Sequence, residues 1–179
     1  MAVIKGLFRR TPKVNVEIER KFLIVAKPDL TPEKRYKIRQ GYIAREGGNV
    51  VRIRQCDDRY ILSVKTPTKG MGRFEIETNI NADEGGVLFA ACAHPPIEKT
   101  REIYPIGNHI WELDIFTGLN KGLIIAEVEL SMADEKVTLP DWIGPEVTGF
   151  KKFYNANLSS NPFRNWAVKY ADLVDRMSG

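Results

Sequence analysis

The chain has 179 residues, 43% of them hydrophobic, which suits one domain with a real core. Its 27 basic and 23 acidic residues leave a net charge of +4, a mild preference for anions, and no zinc finger, RNP-type motif or basic helix adds a nucleic-acid signature. No apolar run approaches the ~20 residues of a membrane span, Cys56 and Cys92 form no Cys-x-x-Cys pair and read as free thiols in a reducing cytoplasm, and His94 and His109 lack zinc-ligand spacing.

Residues 1–13 carry Lys5, Arg9, Arg10 and Lys13 without the apolar stretch of a signal peptide, and read as a loose basic lead-in. Val14 to Leu23 reads as a strand, with Glu17, Glu19 and Lys21 on one face and Ile18 and Phe22 on the other. Thr31 can cap a helical turn that begins at Pro32. Strands follow at Tyr36–Ala44 and Val50–Gln55, joined by the Glu46-Gly47-Gly48-Asn49 turn, and Arg52 and Arg54 share a face. Tyr60–Thr66 carries Lys65; Pro67–Gly72, with Lys69, is a mobile connection; Arg73–Ile80 sets Arg73, Glu75 and Glu77 against Phe74 and Ile76.

Ala82–Ala93 reads as a helix weakened by Gly85 and Gly86. Further strands are Ile97–Tyr104 with Lys99 and Arg101, Ile110–Phe116 with Glu112 and Asp114, and Leu123–Leu130 with Glu127 and Glu129. Met132–Val137 reads as a short helix and Pro140–Pro145 as a loop. Asn161 caps a last helix starting at Pro162, whose Phe163, Trp166, Ala167, Tyr170, Val174 and Met177 form an apolar stripe. That stripe packs on the sheet or on a partner chain, which leaves a homodimer open. Residues 14–158 are expected to form the main domain and 159–179 an added amphipathic helix.

Short strands and frequent turns indicate an antiparallel sheet or barrel. Its charged face could point outward over an ordinary core, or inward in a closed sheet, because both alternate with period 2. Two features favour charges inside: the amphipathic helices need an apolar surface to cover, and like charges recur at Arg52 with Arg54, Glu112 with Asp114, and Glu127 with Glu129. Clustered carboxylates without histidine or cysteine suit Mg²⁺ or Mn²⁺, while clustered Arg and Lys suit phosphate oxygens. The less specific reading makes Arg73, Glu75, Glu77 and Glu112 internal ion-pair partners and Tyr42 a core aromatic.

The series Glu17-Ile18-Glu19-Arg20-Lys21, Gln40-Gly41-Tyr42, Val51-Arg52-Ile53-Arg54, Arg73-x-Glu75-x-Glu77, Lys99-Thr100-Arg101, Glu112-Leu113-Asp114, Ala126-Glu127-Val128-Glu129 and Glu146-Val147-Thr148 resembles the CYTH superfamily, the triphosphate tunnel metalloenzymes. The Gln-Gly-Tyr form resembles its bacterial inorganic triphosphatase branch. The resemblance implies a closed eight-stranded antiparallel β-barrel, open as a tunnel, with a charged interior and helices packed outside. It implies divalent-metal-dependent hydrolysis of a small-molecule triphosphate to diphosphate and phosphate. Glu17, Glu19, Asp114, Glu127 and Glu129 would hold Mg²⁺ or Mn²⁺. Lys21, Arg52, Arg54, Lys65, Arg73, Lys99 and Arg101 would hold phosphates, with Glu75, Glu77 and Glu112 in support. Lys21 and Tyr42 would be a catalytic pair. Lys151 or Lys152 would add a late basic contact; Phe150 stands where relatives often have an acid, so both are retained. Adenylate cyclase or organic triphosphatase activity on the same barrel is the alternative, and non-catalytic polyphosphate or nucleotide binding a third reading.

Overall fold

The computed structural model describes residues 14–15, 18–67, 73–132 and 134–179, with the main chain alone at 14–15, 67 and 73–74. The basic lead-in, Glu17, Lys69 and the side chain of Arg73 therefore lie outside the described residues. Ten strands form one antiparallel sheet: β1 (Val14–Asn15), β2 (Ile18–Ile24), β3 (Lys34–Glu46), β4 (Asn49–Cys56), β5 (Arg59–Pro67), β6 (Arg73–Ile80), β7 (Ile97–Ile106), β8 (His109–Phe116), β9 (Ile124–Leu130) and β10 (Ile143–Glu146). Their order across the sheet is β1-β6-β5-β4-β3-β7-β8-β9-β2-β10.

This corrects the expected closed eight-stranded barrel. Among the described residues the sheet has two free edges, β1 and β10, and no ladder joins them. The strand expected over Val14–Leu23 is divided: Asn15 pairs with Arg73 of β6, while Ile18 pairs with Leu130 of β9. Alternation fixes which side chains share a face and says nothing about whether edges meet. The sheet is nonetheless strongly curled. Asn15 and Ile18 are three residues apart, so at most about 11 Å of chain separates the ladders of β6 and β9.

Local chemistry sets the hairpins. Glu46 pairs with Asn49, and Gly47 and Gly48 (φ +56° and +83°) make the two-residue turn that such a hairpin requires. The helix α1 (Ala82–Ala90) forms despite its two glycines because Asn81 and Glu84 close a capping box, each side chain bonding the other's backbone N–H at 2.9 Å. It stops at Ala90 instead of Ala93. A Cβ at Gly85 would collide with the Tyr60 ring, so glycine there lets α1 lie close to the sheet.

Three expected helices differ. No helix follows Thr31, and β3 begins at Lys34 instead. The described residues of Met132–Val137 form turn and coil; Glu135 there accepts from the Ser131 N–H and contacts His109. The helix expected from Pro162 is a 3₁₀ turn (Phe163–Trp166) and a separate α3 (Tyr170–Ser178), divided at Ala167 with φ +50°. A short helix α2 (Asn155–Ser160) precedes them.

Two apolar clusters hold the sheet. On the face opposite the charges, Phe22, Trp111, Leu113 and Val128 pack with Trp142. The second cluster lies on the charged face itself, at one end. Leu23, Ile97, Phe116 and Ile125, each two residues along the strand from Lys21, Lys99, Asp114 and Glu127, pack with Leu158, Phe163, Leu173 and Val174. The C-terminal stripe is thus spent within the chain, stoppering that end of the curled sheet.

Candidate active site

Beyond the stopper, the concave face encloses a cavity of about 740 Å³. Strand alternation delivers its lining: Glu19 and Lys21 from β2, Arg52 and Arg54 from β4, Lys65 from β5, Glu75 and Glu77 from β6, Arg101 from β7, Glu112 from β8, and Glu127 and Glu129 from β9. Register decides the partners. Lys21 lies opposite Glu127, Arg101 opposite Asp114, and Lys65 opposite Glu75. Two like-charged pairs also face each other, Glu19 with Glu129 and Glu112 with Glu127, an arrangement that costs energy in an empty sheet.

The cavity floor is a dense ion-pair network. Asp114, 0% exposed, accepts at Oδ1 from Arg101 Nε (2.7 Å) and at Oδ2 from Arg101 Nη2 (2.7 Å) and Lys99 Nζ. Burial opposes its charge, yet Arg101 and Lys99 hold its carboxyl far below the usual range. Arg101 also binds Glu112 and, at 2.7 Å, Glu127. Burial works against the charge on Lys21, but Glu127 and Glu19 (2.9 Å) outweigh it and raise its pKa. Lys99 goes the other way: burial and Arg101 bring it down to about 8 despite Asp114. Glu112 is raised, chiefly by burial.

The opposite wall differs. Arg52 reaches Glu77 (3.1 Å), Glu75 (3.6 Å) and the Ser63 hydroxyl (3.0 Å), and Lys65 reaches Glu75 (3.2 Å). Arg54 lines the cavity without any carboxylate in ion-pair range among the described residues; its Nε donates to Gln40 Oε1 at 3.1 Å. Burial, with Arg52 and Arg101 nearby, lowers its pKa. Gln40 in turn donates from Nε2 to the Tyr42 hydroxyl at 2.7 Å.

The predicted residues therefore fall into groups. Glu19, Lys21, Arg52, Arg54, Lys65, Glu75, Glu77, Arg101, Glu112, Glu127 and Glu129 share the cavity. Asp114 and Lys99 sit buried behind it, and Tyr42 is buried beside it. Lys151 and Lys152 are exposed and do not line the cavity; Lys152 Nζ stacks over Phe153 and Trp166 at 4.9 and 5.3 Å. Sequence reasoning missed Ser63, Gln40 and His109. Ser63 shares the face of Lys65 by simple parity, and Gln40 that of Tyr42, so alternation could have found both. His109 lines the cavity with Glu135, which it meets at 2.9 Å, and no sequence pattern links the two.

A curled sheet that gathers guanidinium, ammonium and carboxylate groups in one cavity defines a receptor for a small polyanion. The chain belongs to the CYTH family, whose domain matches residues 15–157. It is 39% identical over 151 residues to the inorganic triphosphatase of Acetivibrio thermocellus, covering 84% of this chain and 97% of that one. To the inorganic triphosphatase of Nitrosomonas europaea it is 33% identical over 147 residues, covering 80% and 96%. The solved structure of the inorganic triphosphatase NE1496 superposes with a TM-score of 0.64 at 31% identity, covering 80% of this chain and 93% of that one. No helix among the described residues is long and apolar enough to cross a membrane.

Proposed function

We propose that the protein hydrolyses inorganic triphosphate to diphosphate and phosphate, using Mg²⁺ or Mn²⁺. It is a triphosphate-hydrolysing enzyme. The observation that carries the reading is Arg54, a cavity cation with no carboxylate partner among the described residues, standing beside Arg52 and opposite a floor of carboxylates. Such a cation is matched by a guest that brings its own negative charge.

The oxygen-only donor set fits a hard cation. Glu19 and Glu129 lie directly opposite each other on the cavity face, both partly exposed, and Glu127 is adjacent. The described residues hold no ready-made cluster of three such ligands, and Glu127 is engaged by Lys21 and Arg101. Glu19, Glu129 and Glu127 would hold the cation, with Glu17 assigned by resemblance alone. Asp114, a further ligand by resemblance, is held by three donors at its two oxygens and would reach the cation only by giving one of them up. A bound divalent cation would supply charge neutralisation and a more acidic water.

The chain's own groups do the rest. Arg52, Arg54, Lys65 and Arg101 hold phosphate oxygens in place; Arg73 is carried by resemblance. Lys21, kept protonated by Glu127 and Glu19, offsets charge on the transferring phosphoryl group. Tyr42, whose pKa burial raises, stays protonated and donates a hydrogen bond. Lys99 keeps Asp114 and Arg101 in register. The free thiols Cys56 and Cys92 accord with a cytoplasmic enzyme. Phosphate release from tripolyphosphate, ATP and thiamine triphosphate, measured side by side with Mg²⁺, tests the reading. Tripolyphosphate is expected to turn over fastest. No release from it, or cyclic nucleotide formed from ATP, would overturn the proposal.

A further inference from the structure

We infer that Gln40 is a positioning residue that fixes the Tyr42 hydroxyl as a hydrogen-bond donor to a triphosphate oxygen. The inference rests on the proposed triphosphatase function. Gln40 is 1% exposed and spans two neighbours on its own strand and the next. Its amide orientation is forced. Arg54 can only donate, so the group it meets at 3.1 Å must be the amide oxygen. The amide nitrogen therefore faces Tyr42, at 2.7 Å, and the hydroxyl oxygen there must accept. An accepting hydroxyl still carries its own hydrogen, and no described residue takes it. That leaves a buried donor, beside Arg52 and Arg54, without an acceptor. Buried donors are rarely left so. A phosphate oxygen drawn in by the two arginines supplies the missing acceptor.

The backbone serves the same end. Strand β3 changes register between Tyr42 and Ala44, and the Tyr42 carbonyl accepts from Ala93 N–H at 3.2 Å. A Cβ at Gly41 would strike Cys92, so glycine there lets the end of α1 pack against this strand. The Tyr42 ring is held in the apolar stopper and its oxygen is turned by Gln40.

A double-mutant cycle on the full chain tests the inference. Gln40→Met removes both hydrogen bonds at similar volume. Gln40→Glu keeps a partner for Arg54 but makes the hydroxyl donate back to the new carboxylate. Each is made alone and with Tyr42→Phe, with melting curves to verify folding. Two readouts are taken: kcat with tripolyphosphate and Mg²⁺, and calorimetric affinity for tripolyphosphate without metal. Each Gln40 variant is expected to lose about tenfold in kcat, and less than twofold more once Tyr42 is Phe. If Gln40→Met fails to fold, Gln40→Glu carries the test. Equal losses in both backgrounds would make Gln40 structural and overturn the inference, as would a Tyr42→Phe variant with unchanged kcat and affinity. If the parent itself does not turn over tripolyphosphate, the triphosphatase reading fails, and the affinity cycle still decides whether Gln40 acts through Tyr42.

Discussion

Arg54 offers a test in which stability and binding should move in opposite directions. Arg54→Gln removes a charge that burial, Arg52 and Arg101 disfavour, yet leaves an amide donor for Gln40 Oε1. Relief of two like-charged neighbours is worth about 1 kcal/mol. In a protein of this size that raises Tm by roughly 2–4 °C. The same change removes a charge-assisted contact to phosphate, worth about 1.5–3 kcal/mol, or roughly 10- to 150-fold in affinity. The assay is a thermal melt at fixed ionic strength with and without tripolyphosphate, paired with calorimetric binding. The variant should melt higher alone and gain less from ligand. A variant that melts lower and binds tripolyphosphate within threefold of the parent would refute the assignment of Arg54 as a cation kept for the substrate.

Mg²⁺ should raise the Tm of the parent, because Glu19 and Glu129 repel across the ladder when nothing lies between them; the shift should vanish in Glu19→Ala with the fold intact, checked by circular dichroism. Asp114→Asn should cost about 3–5 kcal/mol in urea unfolding, since Lys99 and Arg101 lose their shared buried counter-ion. The parent should lose stability in acid. Asp114 and Glu127 have folded pKa values below their unfolded ones, so their contribution is complete above about pH 4–5 and is lost as pH falls further. Glu112, raised by burial, opposes that trend weakly. Urea midpoints at pH 7 and pH 3.5 check the sign, and Asp114→Asn should flatten the dependence.

Much of the site was legible because a strand's period of two is unforgiving: a charge at every second position in Glu75–Glu77 or Glu127–Glu129 can only build one face. Alternation could not reveal the edges. The partners of β1 and β2 lie on β6 and β9, far away in sequence, and neither Val14 nor Ile18 carries a mark of that divergence. The helix errors have similar causes. Ala167 takes a left-handed conformation that nothing in an alanine announces, and it divides a stripe whose spacing alone looks continuous. Glycines at 85 and 86 argued against a helix that a capping box and a close approach to Tyr60 support. Asp114 was assigned as a cation ligand by the family resemblance. Only the packing of Arg101 and Lys99 around both its oxygens shows that it is already engaged.

The plug made by Leu158, Phe163, Leu173 and Val174 seats apolar side chains on the same face as the charges. Greasy atoms cannot solvate phosphate oxygens, so that end repels an anionic guest while the arginine-lined end attracts it. An extended polyanion would thus lie with its charge gathered away from the C-terminal segment, and shortening that segment would loosen where it rests.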